Sequence, residues 1–278
     1  MNEPTTNATF IDSMSLGQAA LWSVAGVAFA VVVVRVLCAR VLPEPGPRPQ
    51  RDLTAAGVIT AIAFGFALLA AGLLTAALGS RGQNPDLPLR AFDLALPSLV
   101  NVIAAVIGLR FAQTRLATDA AAFGWRLVRP VDLAFALGVM CALAPAYVGL
   151  GALNAQLVDA FGMERHQRLV NALLAQGSLD PRIAVLIVAV VPPCEELMFR
   201  GVLQTAILSV TNRFIAIAGT ALAFALVHDP QSWLLIGAVG VGLGIVRDRT
   251  GSVLASTFAH AAFNAFMLLQ IAREAQSR

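Results

Sequence analysis

The sequence predicts an all-α fold, a polytopic bundle of about eight transmembrane helices. Of its 278 residues, 58% are hydrophobic and only 13% are charged, whereas about a quarter of the residues in a soluble domain are charged. Long apolar runs alternate with short segments rich in Arg, Pro and Gly. At about 20 residues per span, the apolar residues suffice for about eight crossings. This composition excludes an ordinary soluble globule, a disordered chain and a secreted disulfide scaffold.

The apolar runs locate the expected spans. They are residues 17–37, 54–79, 91–110, 131–154, 183–209, 213–228, 232–247 and 252–272. The chain divides into N-terminal helices and loops (1–182), a C-terminal helix core (183–272) and a short tail (273–278). The first residues carry two acids and no basic segment, so the first apolar run is expected to stay as a span.

The charged residues and cysteines exclude several further classes. All 19 basic residues are Arg, which removes Ser–Lys dyads, Schiff-base lysines and P-loop lysines. A net charge of +3, dispersed over the chain, does not indicate a nucleic-acid partner. Cys38, Cys141 and Cys194 lie too far apart in sequence for a disulfide framework or a metal-ligand pattern, so we expect reduced thiols.

The fifth apolar run contains charged residues that a membrane span normally lacks. The pair Pro192–Pro193 is followed by Glu195, Glu196 and Arg200. Each charge costs about 2.5–3.5 kcal/mol at the centre of a span, whereas an apolar residue returns about 0.3–0.6 kcal/mol. Such charges persist when they pair with one another or line a cavity. The prolines cannot donate backbone hydrogen bonds, so the helix is expected to break or restart there.

The spacing of these charges suggests how they divide their roles. Glu196 and Arg200 are four residues apart and share a helix face, which predicts an ion pair. Glu195 lies about 100° around the helix and is free to point elsewhere. Because neighbouring carboxylates resist being charged together, Glu195 suits a general base near neutral pH. The alternative is an ion-paired patch that only ties helices together.

Two later runs add histidines and an asparagine. His228 ends an apolar run and, taken alone, is consistent with an interface histidine. His260 and Asn264 are four residues apart on one helix face and provide two donors suited to a developing oxyanion. A hydrogen bond between helices is the alternative for this pair. His166 lies in a polar segment and is expected to be solvated.

Two other motifs have structural explanations. Gly240 and Gly244 form a small-xxx-small pattern, which favours close helix packing rather than phosphate binding. The run Arg247, Asp248 and Arg249 is expected to form a charged loop.

The absence of three motifs excludes three classes of membrane-embedded hydrolase. The sequence has no His-Glu-x-x-His zinc motif, no Gly-x-Ser-Gly serine motif and no Gly-x-Gly-Asp aspartyl motif. The pattern Glu195-Glu196-x-x-x-Arg200, then Phe224-x-x-x-His228, then His260-x-x-x-Asn264 resembles the signature of the CAAX protease and bacteriocin-processing enzyme family. This family includes the type II CAAX prenyl endopeptidases and their bacterial relatives, and the resemblance covers roughly residues 183–272.

The resemblance implies a glutamate-dependent intramembrane endopeptidase. Glu195 would activate water with the assistance of His228, and His260 with Asn264 would stabilise the oxyanion. Glu196 and Arg200 would brace the site. A metal-free mechanism is favoured, so no cofactor is expected. Zinc held by Glu195, His228 and His260 is the alternative.

Eukaryotic members of the family remove three residues after a prenylated cysteine, whereas bacterial relatives are linked to peptide maturation and bacteriocin immunity. The Ala- and Arg-rich composition suggests a bacterial source, so we expect a multi-pass protein of the bacterial cytoplasmic membrane. Its expected partners are membrane lipid and a peptide or membrane-protein substrate, lipidated or not. Three alternatives remain: a non-enzymatic peptide-binding or bacteriocin-immunity protein, a small proton-coupled transporter, and a protease that uses Cys194 as nucleophile.

Overall fold

A computed structural model describes residues 14–42, 123–163 and 180–277, with scattered positions between 99 and 114 and between 170 and 174. All regular secondary structure in these residues is helical, and they contain no strand. The all-α prediction is therefore confirmed for the described part of the chain.

Four helical segments among the described residues are long and apolar enough to cross a membrane. They are Leu16–Arg40, Pro130–Ala160, Pro230–Thr250 and Val253–Arg273, and Arg213–Leu226 is a shorter apolar helix. The expected span 54–79 lies outside the described residues, and 91–110 is represented only by scattered positions. The total of about eight spans, and the division into three parts, stay predictions.

The first two helices pack against each other as a close pair. Helix α1 (Leu16–Arg40) begins at a capping box in which Ser15 and Gln18 exchange side-chain and backbone hydrogen bonds. Helix α2 spans Pro130–Ala160. A Cβ atom on Gly26 would lie 2.5 Å from Cα of Ala146, and one on Gly149 would lie 2.3 Å from the backbone nitrogen of Ser23. The two backbones are therefore in direct contact at these glycines.

A continuous helical run follows, which we call the carboxylate helix (residues 181–210). Asp180 caps its start by accepting a hydrogen bond from the backbone N–H of Arg182. The side-chain hydrogen bond that Arg182 donates also lowers the pKa of Asp180. The run consists of α3 (Pro181–Val185), a π-helical turn (Leu186–Val190), α4 (Val191–Glu196), a second π-helical segment (Leu197–Leu203) and α5 (Gln204–Val210).

The helix was expected to break or restart at the prolines. It does not break, but its α-helical part restarts at Val191 with both prolines in the first turn. The hydrogen-bond register widens just before Pro192 and Pro193. The N–H of Val191 bonds to the carbonyl of Leu186, five residues back. A proline ring clashes with the carbonyl four residues back in a regular α-helix, and a π-turn relieves this by changing the local spacing. Such turns are frequent at functional sites.

Three more helices complete the described C-terminal part. Helix α6 (Arg213–Leu226) is capped by Asn212, and α7 (Trp233–Thr250) follows a 3-10 turn at Pro230–Ser232. Gly251 ends α7 with a φ of 68°, the left-handed conformation that glycine adopts readily. Helix α8 (Val253–Ser277) is the last element.

Close packing at the α7 glycines is confirmed. A Cβ on Gly240 would lie 3.1 Å from Cα of Ala221 in α6, and one on Gly244 would lie 3.0 Å from Cγ2 of Ile217. The absence of side chains at these positions therefore lets α6 and α7 approach each other.

The prediction of a charged loop at residues 247–249 is wrong, because α7 continues to Thr250. Arg247 is buried, and its guanidinium lies 3.4 Å from the hydroxyl of Thr205 on the carboxylate helix. Asp248 is also buried and pairs with Arg213 at 3.8 Å.

Candidate active site

The second of the two adjacent glutamates is fully buried and paired. Nη1 of Arg200 lies 3.1 Å from Oε1 of Glu196, and neither side chain has exposed surface. The predicted ion pair is therefore present. Nη2 of Arg200 donates to the carbonyl of Gly240 at 3.1 Å, and its Cζ lies 4.5 Å from the centre of the Phe224 ring. These contacts compensate for part of the cost of removing two charges from water.

The next turn of the same helix repeats the contact with α7. Gln204 donates from Nε2 to the carbonyl of Gly244 at 3.0 Å, and its side chain is buried. Arg200 and Gln204 are one turn apart, as are the two glycine carbonyls that accept from them. The sequence interpretation missed Gln204, although the recurrence of polar residues at 196, 200 and 204 was the available signal.

His260 connects both glutamates. Its Nδ1 lies 3.0 Å from Oε1 of Glu196, and its Nε2 lies 3.7 Å from Oε2 of Glu195. Because the carboxylate of Glu196 already pairs with Arg200, Nδ1 is the donor of this hydrogen bond. The ring is thereby oriented with its second nitrogen toward Glu195.

Glu195 differs from its neighbour in exposure. Its side chain retains 15% of its accessible surface, whereas that of Glu196 retains none. Glu195 is therefore the carboxylate of the pair that solvent or a substrate can reach.

His228 lies just beyond the end of α6. Its Nδ1 is 2.7 Å from the carbonyl of Phe224 and donates to it, so Nε2 is the acceptor in the neutral ring. The Phe224 ring meets His228 edge-on at 4.8 Å and His260 edge-on at 5.7 Å. One phenyl ring thus contacts both imidazoles. Among the described residues, the histidine that contacts Glu195 is His260.

Two residues that the sequence interpretation did not single out hold the loop that carries His228. The indole nitrogen of Trp233 donates to the carbonyl of His228 at 2.9 Å. From α2, Nδ2 of Asn154 donates to the carbonyl of Gln231 at 2.8 Å. A lone asparagine in an apolar run was the available signal for Asn154, because a polar side chain at that depth requires a partner.

Asn264 bonds to the carboxylate helix ahead of the prolines. Its Nδ2 donates to the carbonyl of Ile187 at 3.0 Å. The structure thus shows the hydrogen bond between helices that was the alternative for Asn264. This bond places one hydrogen of the amide at the π-turn.

The described residues contain no group of three or more His, Cys, Asp or Glu side chains arranged to hold a metal ion. Glu195, His228 and His260, considered above for zinc, do not form such a group. The thiol of Cys194 is buried and donates to the carbonyl of Val190 at 3.0 Å within its own helix.

Comparison with known proteins identifies the region that contains these residues. Residues 178–266 match the family model of the type II CAAX prenyl endopeptidase Rce1-like proteins. The resemblance to the CAAX protease family is confirmed. The Rce1-like region includes Glu195, His228, His260 and Asn264.

A Bacillus subtilis protein named "Putative membrane peptidase YdiL" is 27% identical over 137 residues, which is 48% of this chain and 56% of that protein. The matched segment thus spans about half the length of this curated relative. A search of the solved structures found no match. The apolar helices and these similarities support an integral membrane protein related to proteases.

Proposed function

We propose that this chain is a glutamate-dependent intramembrane endopeptidase that hydrolyses a peptide bond near the membrane surface. The observation that carries the proposal is the asymmetry of the two glutamates. Glu196 is fully buried and neutralised by Arg200, whereas Glu195 reaches the surface beside a histidine. The two adjacent glutamates are thereby suited to different tasks: Glu196 to bracing the site and Glu195 to proton transfer.

In the proposed reaction, Glu195 takes a proton from a water molecule, and the water oxygen bonds to the carbonyl carbon of the substrate. The resulting tetrahedral intermediate carries a negative oxygen. Glu195 then gives its proton to the leaving amine as the carbon–nitrogen bond breaks. His228 assists by presenting Nε2 as an acceptor, since Nδ1 is held on the Phe224 carbonyl.

His260 is the proposed donor to the negative oxygen. With both nitrogens protonated, it would donate from Nδ1 to Glu196 and from Nε2 toward the reacting centre. The resemblance also implies that Asn264 stabilises the oxyanion. It would have to donate the amide hydrogen that is not bonded to the carbonyl of Ile187.

The proposed substrate is a peptide or membrane protein, lipidated or not, reached from the lipid phase of a bacterial cytoplasmic membrane. The buried charges and the apolar helices around them suit a site at a membrane surface, where water and an apolar substrate segment are both available.

The test is cleavage of a quenched fluorescent peptide library by the purified chain in detergent. Wild type is compared with Glu195→Gln, which keeps the shape but removes the base, in the presence and absence of a chelator. We expect the variant to lose at least 10³-fold in kcat/KM with an unchanged Tm, and the chelator to have no effect.

Cleavage retained by Glu195→Gln would refute the proposed mechanism. Cleavage lost on chelation would instead favour the zinc alternative. A folded wild type that binds peptides from the library and cleaves none would favour the non-enzymatic binding or immunity protein.

A further inference from the structure

The π-turn ahead of the prolines leaves backbone carbonyls in need of a donor, and that of Ile187 is one of them. The N–H of Val191 bonds to the carbonyl of Leu186. In the same register, the donor for the carbonyl of Ile187 would be the N–H of residue 192. That residue is proline and has no N–H. The carboxylate helix therefore cannot supply this donor in the register that it adopts.

Asn264 supplies the missing donor from another helix. Its Nδ2 lies 3.0 Å from the oxygen of Ile187, which is an ordinary hydrogen-bond distance. The surrounding contacts fix this arrangement, because Ile183 of the carboxylate helix and Leu268 of α8 are buried in one apolar cluster with Ile187 packed against it. The amide thus occupies the position of a backbone N–H that Pro192 has removed.

The register of this turn decides where the glutamates point. In a helix, each residue added or removed rotates everything that follows by about 100°. In the observed register, His260 lies 3.0 Å from Glu196 and 3.7 Å from Glu195. The return of the turn to the ordinary α register would swing both carboxylates away from the ring. The same helix, α8, provides both His260 and the amide that holds the turn.

We propose that Asn264 is a positioning residue, which replaces the N–H missing at Pro192 and holds the π register that directs Glu195 and Glu196 to His260. The consequence for catalysis rests on the proposed function above. The structural part of the proposal does not, because it concerns the stability of one turn.

The test combines Asn264→Ala with the return of the missing N–H. Three pairs are compared, each with and without Asn264→Ala: the wild-type background, Pro192→Ala and Pro193→Ala. Pro193→Ala is the matched control, because in this register a donor at residue 193 serves the carbonyl of Val188 and not that of Ile187. The readouts are Tm in detergent and, separately, kcat and KM for a cleaved peptide.

In the wild-type background, we expect Asn264→Ala to lower Tm by about 2–6 °C and kcat by about tenfold or more, with KM little changed. In the Pro192→Ala background, at least half of both losses should disappear. In the Pro193→Ala background, they should persist. If Asn264→Ala does not fold, the yield of folded protein replaces Tm, and Pro192→Ala should restore it.

Two results would overturn the proposal. One is an unchanged Tm with a loss of about 10²–10³-fold in kcat that Pro192→Ala does not relieve, which would make Asn264 a direct oxyanion donor. The other is the same loss of Tm in all three backgrounds. If wild type cleaves nothing, the proposed function fails, yet the Tm measurements still decide whether Asn264 substitutes for the missing N–H.

Discussion

The helix pair α1–α2 and the C-terminal core, formed by the carboxylate helix with α6–α8, are held together by different interactions. In the pair, glycines remove side chains so that backbones touch, as at Gly26 and Gly149. The core has close glycine packing as well, at Gly240 and Gly244, but there buried charged and amide groups also bond across helices, as Arg200 and Gln204 do to carbonyls of α7.

This difference explains why the candidate chemistry lies in the core. Close packing at glycines fixes the separation of two helices but provides no side chain that could take part in a reaction. Buried polar contacts cost free energy unless every partner is in place, so they orient side chains narrowly. The same arrangement that braces Glu196 therefore also leaves Glu195 and His260 in a defined geometry.

The largest expected effect comes from removing one partner of the buried ion pair. Arg200→Met would leave Glu196 charged and without its cation, at a cost of about 3–5 kcal/mol in the free energy of unfolding. The measurement is denaturant unfolding in detergent. Arg182→Met is the control, because that side chain is largely exposed and pairs with the partly exposed Asp180; its stability should be almost that of wild type. An Arg200→Met protein as stable as wild type would contradict the assigned importance of the pair.

A smaller effect is expected from enlarging a glycine in the α1–α2 pair. Gly149→Leu places a side chain where its first carbon would lie 2.3 Å from the backbone of Ser23, so the helices must separate. Overpacking of this kind costs about 1–3 kcal/mol. Tm should fall while kcat per folded molecule stays unchanged, since Gly149 contacts α1 and not the loop after His228. Gly17→Leu is the control, because a Cβ there has no neighbour within 4 Å. A fall in kcat at full folding would show that the glycine contact, and not only the hydrogen bond of Asn154, connects the helix pair to the site.

The smallest expected effect on stability comes from a contact that links the two regions. Asn154→Leu removes the hydrogen bond from α2 to the carbonyl of Gln231, in the loop after His228. We expect kcat to fall about 3–10-fold, with a stability loss of about 1 kcal/mol or less. Gln156→Leu is the matched control, because its amide bonds to the carbonyl of Met14 at the start of α1 instead. Equal effects on kcat from both variants would exclude a specific role for Asn154.

Features set by local spacing were predictable from the sequence. Glu196 and Arg200 are four residues apart, and one helical turn brings them together without help from other elements. The packing at Gly240 and Gly244 was predictable for the same reason, since their spacing alone defines a smooth helix face.

Features set by the mutual orientation of distant helices could not be predicted from the sequence. His260 lies 64 residues from Glu196, and nothing in the spacing shows that its ring reaches both glutamates. The π-turn was missed because proline chemistry predicts a local disturbance but not which compensation the fold adopts. Arg247 was assigned to a loop on the basis of its charge alone. The helix ends only at Gly251, so Arg247 lies within it.

The location of Arg200 on the same helix as Glu196 has a consequence for biosynthesis. Their pairing requires only that residues 196–200 become helical, so it can form soon after this segment leaves the ribosome. The contacts of His260 with both glutamates must wait until a further 64 residues have been translated. In the nascent carboxylate helix, the charge of Glu196 is thus paired early, whereas the contacts with His260 form later. If the proposed hydrolysis depends on His260, it can begin only after α8 has been synthesised and has packed against the carboxylate helix.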